Sequence, residues 1–199
     1  MSGIAITEES ADSLESYASV PIAFTVSSRF RVEPVASGLE GFSFHEEPVA
    51  EPYLKDYDAI RGEGPTRWRR WDLSNWGFLA AFVNKRRVGG AVVAWNTDGI
   101  NMLEGRSDLA VLWDIRVAPA ARGQGVGSRL MRHVEQWAQE RGCRTLKIET
   151  QNINVPACRF YARGGCTLGA VLLHAYPELP DEVQLLWYKD LPVAETIGL

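Results

Sequence analysis

The sequence predicts an α+β (α/β) fold, in which a mixed and mostly antiparallel central sheet contains one parallel strand–helix–strand crossover. Two observations predict it. Short segments with alternating apolar residues dominate the first half of the 199-residue chain, as in antiparallel sheets. Further on, an apolar run at 109–117 is followed by an amphipathic run at 128–141 and a second apolar run at 143–150. A helix between two such strands makes them parallel neighbours.

Strands are expected wherever aromatic and β-branched residues alternate over four or more positions. Outside the crossover these segments are 22–32, 42–45, 76–84, 87–95, 167–174 and 183–190. Asn84-Lys85-Arg86 is typical of a hairpin turn between two of them. The segments 51–58 and 66–73 mix charges with aromatic residues and are expected to be loops or short helices.

The crossover helix has one apolar face. Its members recur at helical spacing and are Leu130, Met131, Val134, Trp137 and Ala138. Gly142 is the expected end of this helix, because glycine readily adopts the left-handed conformation that follows a last helical turn.

The expected organisation is a single domain over residues 21–191 with a tail at each end. Residues 1–20 are acidic and polar and are expected to form a flexible N-terminal tail, frayed or weakly helical, and residues 192–199 a C-terminal tail. An exposed edge strand in such a sheet would allow a homodimer.

Composition excludes several classes of protein. A net charge of −4 and a pI near 5.5 argue against nucleic acid as the main partner and leave cationic substrates open. No apolar run approaches the length of a membrane span, and the first 19 residues do not resemble a signal peptide. Three cysteines without metal-ligand spacing indicate reduced thiols in a cytoplasmic protein, and no metal site is expected.

A glycine-rich loop follows the strand at 109–117. Arg122 precedes glycines at 123, 125 and 127, and the helix opens immediately behind them. Glycines let the backbone approach a ligand closely, and a helix start presents unpaired N–H groups, so the loop is typical of a phosphate site.

Several ligands suit such a loop. A P-loop would need a lysine, which is absent here. A Rossmann loop would need G-x-G-x-x-G directly after the strand, although Glu149 lies where a ribose-binding carboxylate would be expected. The pyrophosphate of coenzyme A and a glycine turn without any ligand are the other two interpretations.

A second motif follows the second crossover strand. Asn154 is a good N-cap and Pro156 suits the opening turn of a short helix. Ala157, Phe160 and Tyr161 share one face of it, and a pair of glycines ends it. Neither Rossmann nor P-loop proteins require this second motif.

Together the two motifs resemble those of the GNAT superfamily of acyl-CoA N-acyltransferases. The loop is similar to R/Q-x-x-G-x-G/A and the helix to N-x-x-A-x-x-F-Y-x-x-x-G-F, with Cys166 in place of the final aromatic residue. Glu149-Thr150-Gln151 and the segment E-P-Y-L-K-D-Y at 51–57 are similar to the streptothricin acetyltransferase branch. The likeness spans about 24–191. The segment 60–76, which contains three tryptophans, does not match, and we expect those rings to pack in the core or in a lid.

The resemblance implies the GNAT fold and an acetyl-CoA-dependent N-acetyltransferase whose co-substrate lies at the crossover. It implies that Tyr161 protonates the departing thiolate, and that backbone groups around Ile115 and Val117 bind the pantetheine arm. The residues expected to bind acetyl-CoA are Ile115, Arg116, Val117, Arg122, Gly123, Gln124, Gly125, Val126, Gly127, Ser128, Asn154, Ala157 and Tyr161.

Two carboxylates are candidate general bases. Asp114 and Glu149 lie in apolar runs on the two neighbouring strands, where burial would raise their pKa and make them better bases. The alternative is that each pairs with an arginine such as Arg116 or Arg144. Both interpretations stay open at this point.

The expected acceptor is a primary amine of a small cationic molecule, with the β-lysine amine of streptothricin as one candidate. Acidic residues at 46, 47, 51 and 56 would add negative potential at the acceptor side. A protein lysine or N-terminal amine is an alternative acceptor. A non-catalytic sensor that binds acyl-CoA is an alternative of another class.

Overall fold

The computed structural model describes residues 3–60 and 62–192. Residues 193–199 of the expected C-terminal tail lie outside the described residues, and Pro192 accepts a hydrogen bond from the Gln139 side chain at 3.0 Å. The strands are β1 (Ile4–Glu9), β2 (Phe24–Pro34), β3 (Phe42–Lys55), β4 (Gly77–Val83), β5 (Arg86–Trp95), β6 (Leu109–Val117), β7 (Thr145–Gln151), β8 (Thr167–Leu172) and β9 (Gln184–Asp190). The α-helices are α1 (Leu14–Ala18), α2 (Val126–Glu140) and α3 (Val155–Arg163).

The strand order confirms the predicted fold class. Seven strands form one sheet in the order β1-β4-β5-β6-β7-β9-β8, and β2 and β3 form a separate two-stranded sheet. The seven-stranded sheet is mixed, with antiparallel strands and one parallel pair. The parallel crossover is the predicted one, through α2.

The chain divides into two compact units, which are described separately. The first comprises the described parts of Met1–Ile22, Asp56–Lys147 and Asp190–Leu199, and the second comprises Ala23–Lys55 and Ile148–Lys189.

In the first unit, β1, β4, β5 and β6 pair antiparallel in turn. The predicted turn between β4 and β5 is confirmed, since Asn84 and Lys85 have φ values of 49° and 64°. Two consecutive residues with positive φ form the turn that best matches the twist of a two-residue hairpin.

The helix α2 has the predicted apolar face. Leu130, Met131, Val134, Trp137 and Ala138 are all buried, and so is Val126 at its start. The helix begins two residues before the predicted position, directly at the glycine loop. Gly142 follows its end with φ of 76°, as expected for a terminating glycine.

The N-terminal segment differs from the prediction of a flexible tail over residues 1–20. β1 pairs with β4 from Ile4 opposite Val83 to Glu9 opposite Phe78. Leu14 and Tyr17 of α1 are 0% and 2% exposed and belong to a core cluster with Trp68. The prediction of a flexible tail is therefore wrong for this segment. Its outer positions are acidic, which makes the sequence look like a tail, but its few apolar residues complete the core.

In the second unit, β2 and β3 form a long antiparallel ribbon and β8 pairs with β9. β3 continues far beyond the predicted 42–45, and Phe24 pairs with Lys55 at its far end. The prediction of a loop or short helix over 51–58 is therefore wrong up to Lys55. The strand is exposed along most of this length, which is why no apolar alternation marks it.

Candidate active site

The glycine loop connects β6 to α2 through a short 3₁₀ turn at Pro119–Ala121. Gly123 and Gly125 have φ values of 74° and 83°, a conformation that disfavours residues with a side chain. Arg122 Nε donates to the Val117 carbonyl at 2.9 Å, and Gln124 Nε2 donates to the Ala120 carbonyl at 2.8 Å. Arg122 thus fastens the loop to the end of β6, and Gln124 fastens it to the 3₁₀ turn.

The residue that caps α2 is Gly125, which has no side chain to accept hydrogen bonds from the first helical turn. The N–H groups of that turn therefore remain available to a ligand. Residues 122–125 and Ser128 are exposed, Gly127 is half-buried, and a Cβ added at Gly123 or Gly125 would meet no atom within 4 Å. This open, N–H-rich helix start fits the pyrophosphate of a coenzyme A molecule.

Upstream of the loop, β6 contains a bulge. Val92 pairs with Asp114 and Val93 with Leu112, so that Trp113 is an extra residue on β6. A bulge bends the strand and changes the direction of side chains next to it. Ile115 and Val117, whose backbone groups we expect to bind the pantetheine arm, are half-buried just beyond it.

The carboxylate of Asp114 lies in a hydrogen-bonded network. It accepts from Arg116 Nε at 2.9 Å and Nη2 at 2.7 Å, and from the Tyr17 hydroxyl at 2.5 Å. The same guanidinium donates to both oxygens of Asp58, at 2.7 and 3.2 Å, and to the Val20 carbonyl at 3.1 Å. The side chain of Arg116 is fully buried and that of Asp114 is 7% exposed.

Burial and charge shift the protonation equilibria of this network. Burial raises the pKa of the Tyr17 hydroxyl, and the negative charge of Asp114 raises it further, so Tyr17 stays a hydrogen-bond donor. Burial alone would lower the pKa of Arg116, but hydrogen bonds and charge from Asp114 and Asp58 outweigh this and raise it. Tyr17 and Arg116 are thus the hydrogen-bond donors to Asp114, and Arg116 also donates to Asp58.

Two expectations change here. The side chain of Arg116 is enclosed by Asp114, Asp58 and the Tyr17 ring, so only the Arg116 backbone remains suited to acetyl-CoA. Asp114 has the arginine partner that was the alternative to a catalytic role, and both of its oxygens accept hydrogen bonds. Sequence analysis did not identify Tyr17 or Asp58, because their partners lie 97 and 58 residues away.

In the second unit, Glu149 of β7 has different partners. Its Oε1 accepts from the Tyr176 hydroxyl and, at 3.3 Å, from Gln151 Nε2. Burial and the charge of Glu149 raise the pKa of Tyr176, which keeps this hydroxyl protonated. Within residues 3–60 and 62–192, Glu149 Oε2 has no hydrogen-bond partner and Glu149 has no arginine partner. One oxygen is therefore held while the other can accept a proton.

The helix α3 begins as predicted. Asn154 is its N-cap, and the Asn154 side-chain oxygen accepts from the Ala157 N–H at 3.2 Å. Tyr161 is 5% exposed, and its ring lies 5.4 Å from that of Phe160 and 6.4 Å from that of Trp187. Asn154 therefore holds the helix start, and the ring contacts fix the direction of the Tyr161 side chain.

Two of the four acidic residues expected at the acceptor side, Glu46 and Glu47, are paired with arginines. Glu46 pairs with Arg159, and Glu47 pairs with Arg29 at 3.0 Å and Arg31 at 3.4 Å. These carboxylates of the β2–β3 ribbon are consequently weak sources of negative potential for a substrate.

The described residues contain no group of three or more His, Cys, Asp or Glu side chains placed to hold a metal ion. Cys143, Cys158 and Cys166 are buried and form no disulfide, and burial raises the pKa of Cys158 to about 12. No helix in the described part of the chain is long and apolar enough to cross a membrane.

A glycine loop at a helix start, followed in the chain by a strand and a capped aromatic helix, defines an acyl-CoA-dependent acyltransferase. The family comparison agrees with this class, since the acetyltransferase (GNAT) family model matches residues 42–165. The chain belongs to the GNAT family and is an N-acetyltransferase of that type.

Several relatives are named as streptothricin acetyltransferases. The protein from Streptomyces lavendulae is 31% identical over 176 residues, which cover 85% of this chain and 84% of the relative. The protein from Escherichia coli is 32% identical over 154 residues, covering 75% and 76%.

Solved structures show the same likeness. Nourseothricin acetyltransferase has a TM-score of 0.74 at 26% identity, covering 95% of this chain and 99% of its own. A candidate streptothricin acetyltransferase from Bacillus anthracis, solved with acetyl coenzyme A, has a TM-score of 0.73 at 25% identity, covering 94% and 99%.

Proposed function

We propose that this enzyme transfers an acetyl group from acetyl-CoA to a primary amine of a small cationic molecule, with streptothricin as the leading candidate acceptor. The likeness to streptothricin acetyltransferases over more than four fifths of both chains is the observation that carries this proposal. Acetylation of such an amine removes its positive charge, so the reaction would inactivate an antibiotic that depends on it.

On the donor side, the first turn of α2 and the loop at 122–128 would hold the pyrophosphate. The exposed N–H groups behind Gly125 support this assignment. Backbone groups of Ile115, Arg116 and Val117 would hold the pantetheine arm along β6, with Asn154 and Ala157 at the start of α3 as further contacts. Bound acetyl-CoA supplies a thioester whose carbonyl carbon is open to attack by an amine.

The amine must lose a proton to react, and we assign its acceptor to Glu149. The Tyr176 and Gln151 side chains hold one Glu149 oxygen, and the other oxygen is open to a proton from the substrate or from a bridging water. Asp114 is less suited, because both of its oxygens already accept hydrogen bonds from Arg116.

The departing thiolate needs a proton, and Tyr161 is the proposed donor. Tyrosine is a weak acid, and the flanking rings of Phe160 and Trp187 orient it. The bond between the carbonyl carbon and sulfur breaks as the new carbon–nitrogen bond forms. The amine proton goes to Glu149 and the thiolate receives a proton from Tyr161, so the step is balanced.

A thiol-release assay tests the proposal. The enzyme is incubated with acetyl-CoA and with streptothricin, a β-lysine amide, an aminoglycoside or a peptide with a free N-terminus. We expect streptothricin and the β-lysine amide to give the highest kcat/KM, with a mass increase of one acetyl group on the acceptor. Preferential turnover of peptides would contradict the proposed acceptor and favour a protein amine.

A further inference from the structure

A cluster of four indole rings lies in the first unit, and three of them come from the segment 60–76, which resembles no motif of the family. The Trp113 ring centroid lies 5.0 Å from that of Trp71, in an edge-to-face arrangement, and 5.2 Å from that of Trp76. Trp76 is 6.0 Å from Trp71, nearly parallel to it, and 6.4 Å from Trp68. We call these four residues the tryptophan cluster.

The cluster has a buried side and an accessible side. Trp68 and Trp76 are 5% and 6% exposed and belong to the core. Trp71 and Trp113 are only partly buried and pack against that core. Two indole rings therefore retain accessible surface that core packing does not require.

The accessible side already accommodates a cation. The guanidinium of Arg70 lies over the Trp71 ring, 4.0 Å from its centroid. Such a position is attractive because the face of an indole ring carries partial negative charge, and indole is the strongest of the aromatic side chains in this respect. The rings thus favour a positively charged group.

The bulge on β6 explains how Trp113 joins the cluster. Side chains of consecutive strand residues normally point to opposite faces of a sheet. Here Trp113 contacts Trp76, and Asp114 bonds to Tyr17, which lies in the same core cluster as Trp76. The extra residue turns both consecutive side chains toward one face.

The position of Trp113 along β6 relates the cluster to the donor half of the site. The pyrophosphate loop follows the end of the strand, so a pantetheine arm lying along β6 runs backward from Val117 toward Ile115. Trp113 lies two residues before Ile115, which is about 7 Å further along the strand in the same direction. The reactive end of the arm therefore points toward the tryptophan cluster.

We propose that the accessible surface of Trp113 binds an ammonium group of the acceptor, beside Trp71, whose ring holds Arg70, and that this subsite selects a cationic amine. The inference rests on the proposed function and specifies the substrate class of the same site. An acceptor with two amines fits best, because one ammonium stays protonated at the rings while the other amine, deprotonated, attacks the thioester.

The test compares Trp113→Leu and Trp113→Phe with the wild-type enzyme. The acceptors are a β-lysine amide and two analogues that each lack one of its two amines. We expect Trp113→Leu to raise the KM for the diamine about three- to thirty-fold, and Trp113→Phe to raise it less. The KM for acetyl-CoA should change little, whereas the thermal midpoint of Trp113→Leu should fall because the ring contacts with Trp71 and Trp76 are lost. The penalty should disappear for the analogue that lacks the amine held by the rings.

Trp95→Leu is the matched control, because Trp95 is also partly buried and lies outside the cluster. An unchanged acceptor KM in Trp113→Leu, or the same increase for every acceptor, would overturn the inference. Calorimetric titration of the diamine gives a second readout. If the wild-type enzyme acetylates none of these amines, the proposed acceptor is wrong. If the wild-type enzyme and Trp113→Leu bind the diamine with equal Kd, the proposed subsite is wrong, whatever the acceptor.

Discussion

At the scale of single residues, hydrogen-bond partners distinguish the two carboxylates that the sequence presents as equal candidates for the base. Asp114 is fixed on both oxygens by a buried arginine. Glu149 is fixed on one oxygen by a tyrosine that stays protonated. A general base needs an oxygen lone pair that no hydrogen bond within the described residues occupies, and Oε2 of Glu149 has one.

Glu149→Gln is expected to lower kcat by about 100-fold or more, since general-base catalysis contributes roughly 10²- to 10⁴-fold. The Kd for acetyl-CoA should change little, because the Glu149 carboxylate is assigned to the acceptor amine. Steady-state kinetics measure the fall in kcat, and calorimetry measures the Kd.

Asp114→Asn is the companion variant. It should lower the free energy of unfolding by about 1.5–3 kcal/mol, because it weakens charged hydrogen bonds at the buried Arg116. Denaturant unfolding measures this loss. A large fall in kcat for Asp114→Asn, together with a wild-type kcat for Glu149→Gln, would reverse the assignment of the base.

Tyr161→Phe should reduce kcat about tenfold or more and leave the acetyl-CoA Kd nearly unchanged, because only the hydroxyl is lost and the ring contacts remain. Tyr53→Phe is the control, since Tyr53 is 45% exposed on the ribbon. Equal kcat in wild type and Tyr161→Phe would remove Tyr161 from the mechanism.

At the scale of elements, the start of α2 combines two requirements in one residue. Gly125 adopts a left-handed conformation and at the same time leaves the first-turn N–H groups uncapped. A residue with an acidic side chain would satisfy those N–H groups internally and repel a phosphate. The loop therefore depends on glycine for its conformation, and the proposed binding of the pyrophosphate depends on the same residue.

Gly125→Asp is expected to weaken acetyl-CoA binding tenfold or more, measured by calorimetry. Gly105→Asp is matched for the backbone effect, since Gly105 also has positive φ, 66°, with no atom within 4 Å of an added Cβ. Both variants should lose similar stability, about 1–2 kcal/mol. Equal acetyl-CoA affinity in the two variants would show that the loop has another role.

At the scale of the whole molecule, the N-terminal segment is part of the core of the first unit. Leu14 and Tyr17 pack with Trp68, and Tyr17 also bonds to Asp114 on β6. The network around Arg116 joins α1, the segment at Asp58 and β6. The segment that the sequence predicts as a tail thus stabilises the strand that carries the donor site. The predicted homodimer remains a prediction.

Leu14→Ala should lower the free energy of unfolding by about 2–5 kcal/mol, as expected for a fully buried leucine. Leu39→Ala is the control, because Leu39 is 91% exposed and should give a change near zero. Denaturant unfolding measures both. Equal stability of the two variants would contradict the packing of α1 in the core.

The sequence by itself determined the crossover and its class. The strand at 109–117, the apolar face of α2, the glycine loop and the capped helix α3 depend on residues close together in the chain, so local patterns predict them. The likeness to acetyltransferases followed from the same local motifs. The candidate site residues lie in these same motifs, and their catalytic roles remain predictions.

Only the tertiary structure decided what depends on distant partners. The core position of α1, the length of β3, the pairing of Arg116 with Asp58 and the tryptophan cluster each involve residues far apart in the sequence. The spacing of apolar residues along the chain cannot predict such contacts. The residues next to a polar or aromatic side chain are the same whether that side chain contacts water or a distant buried residue.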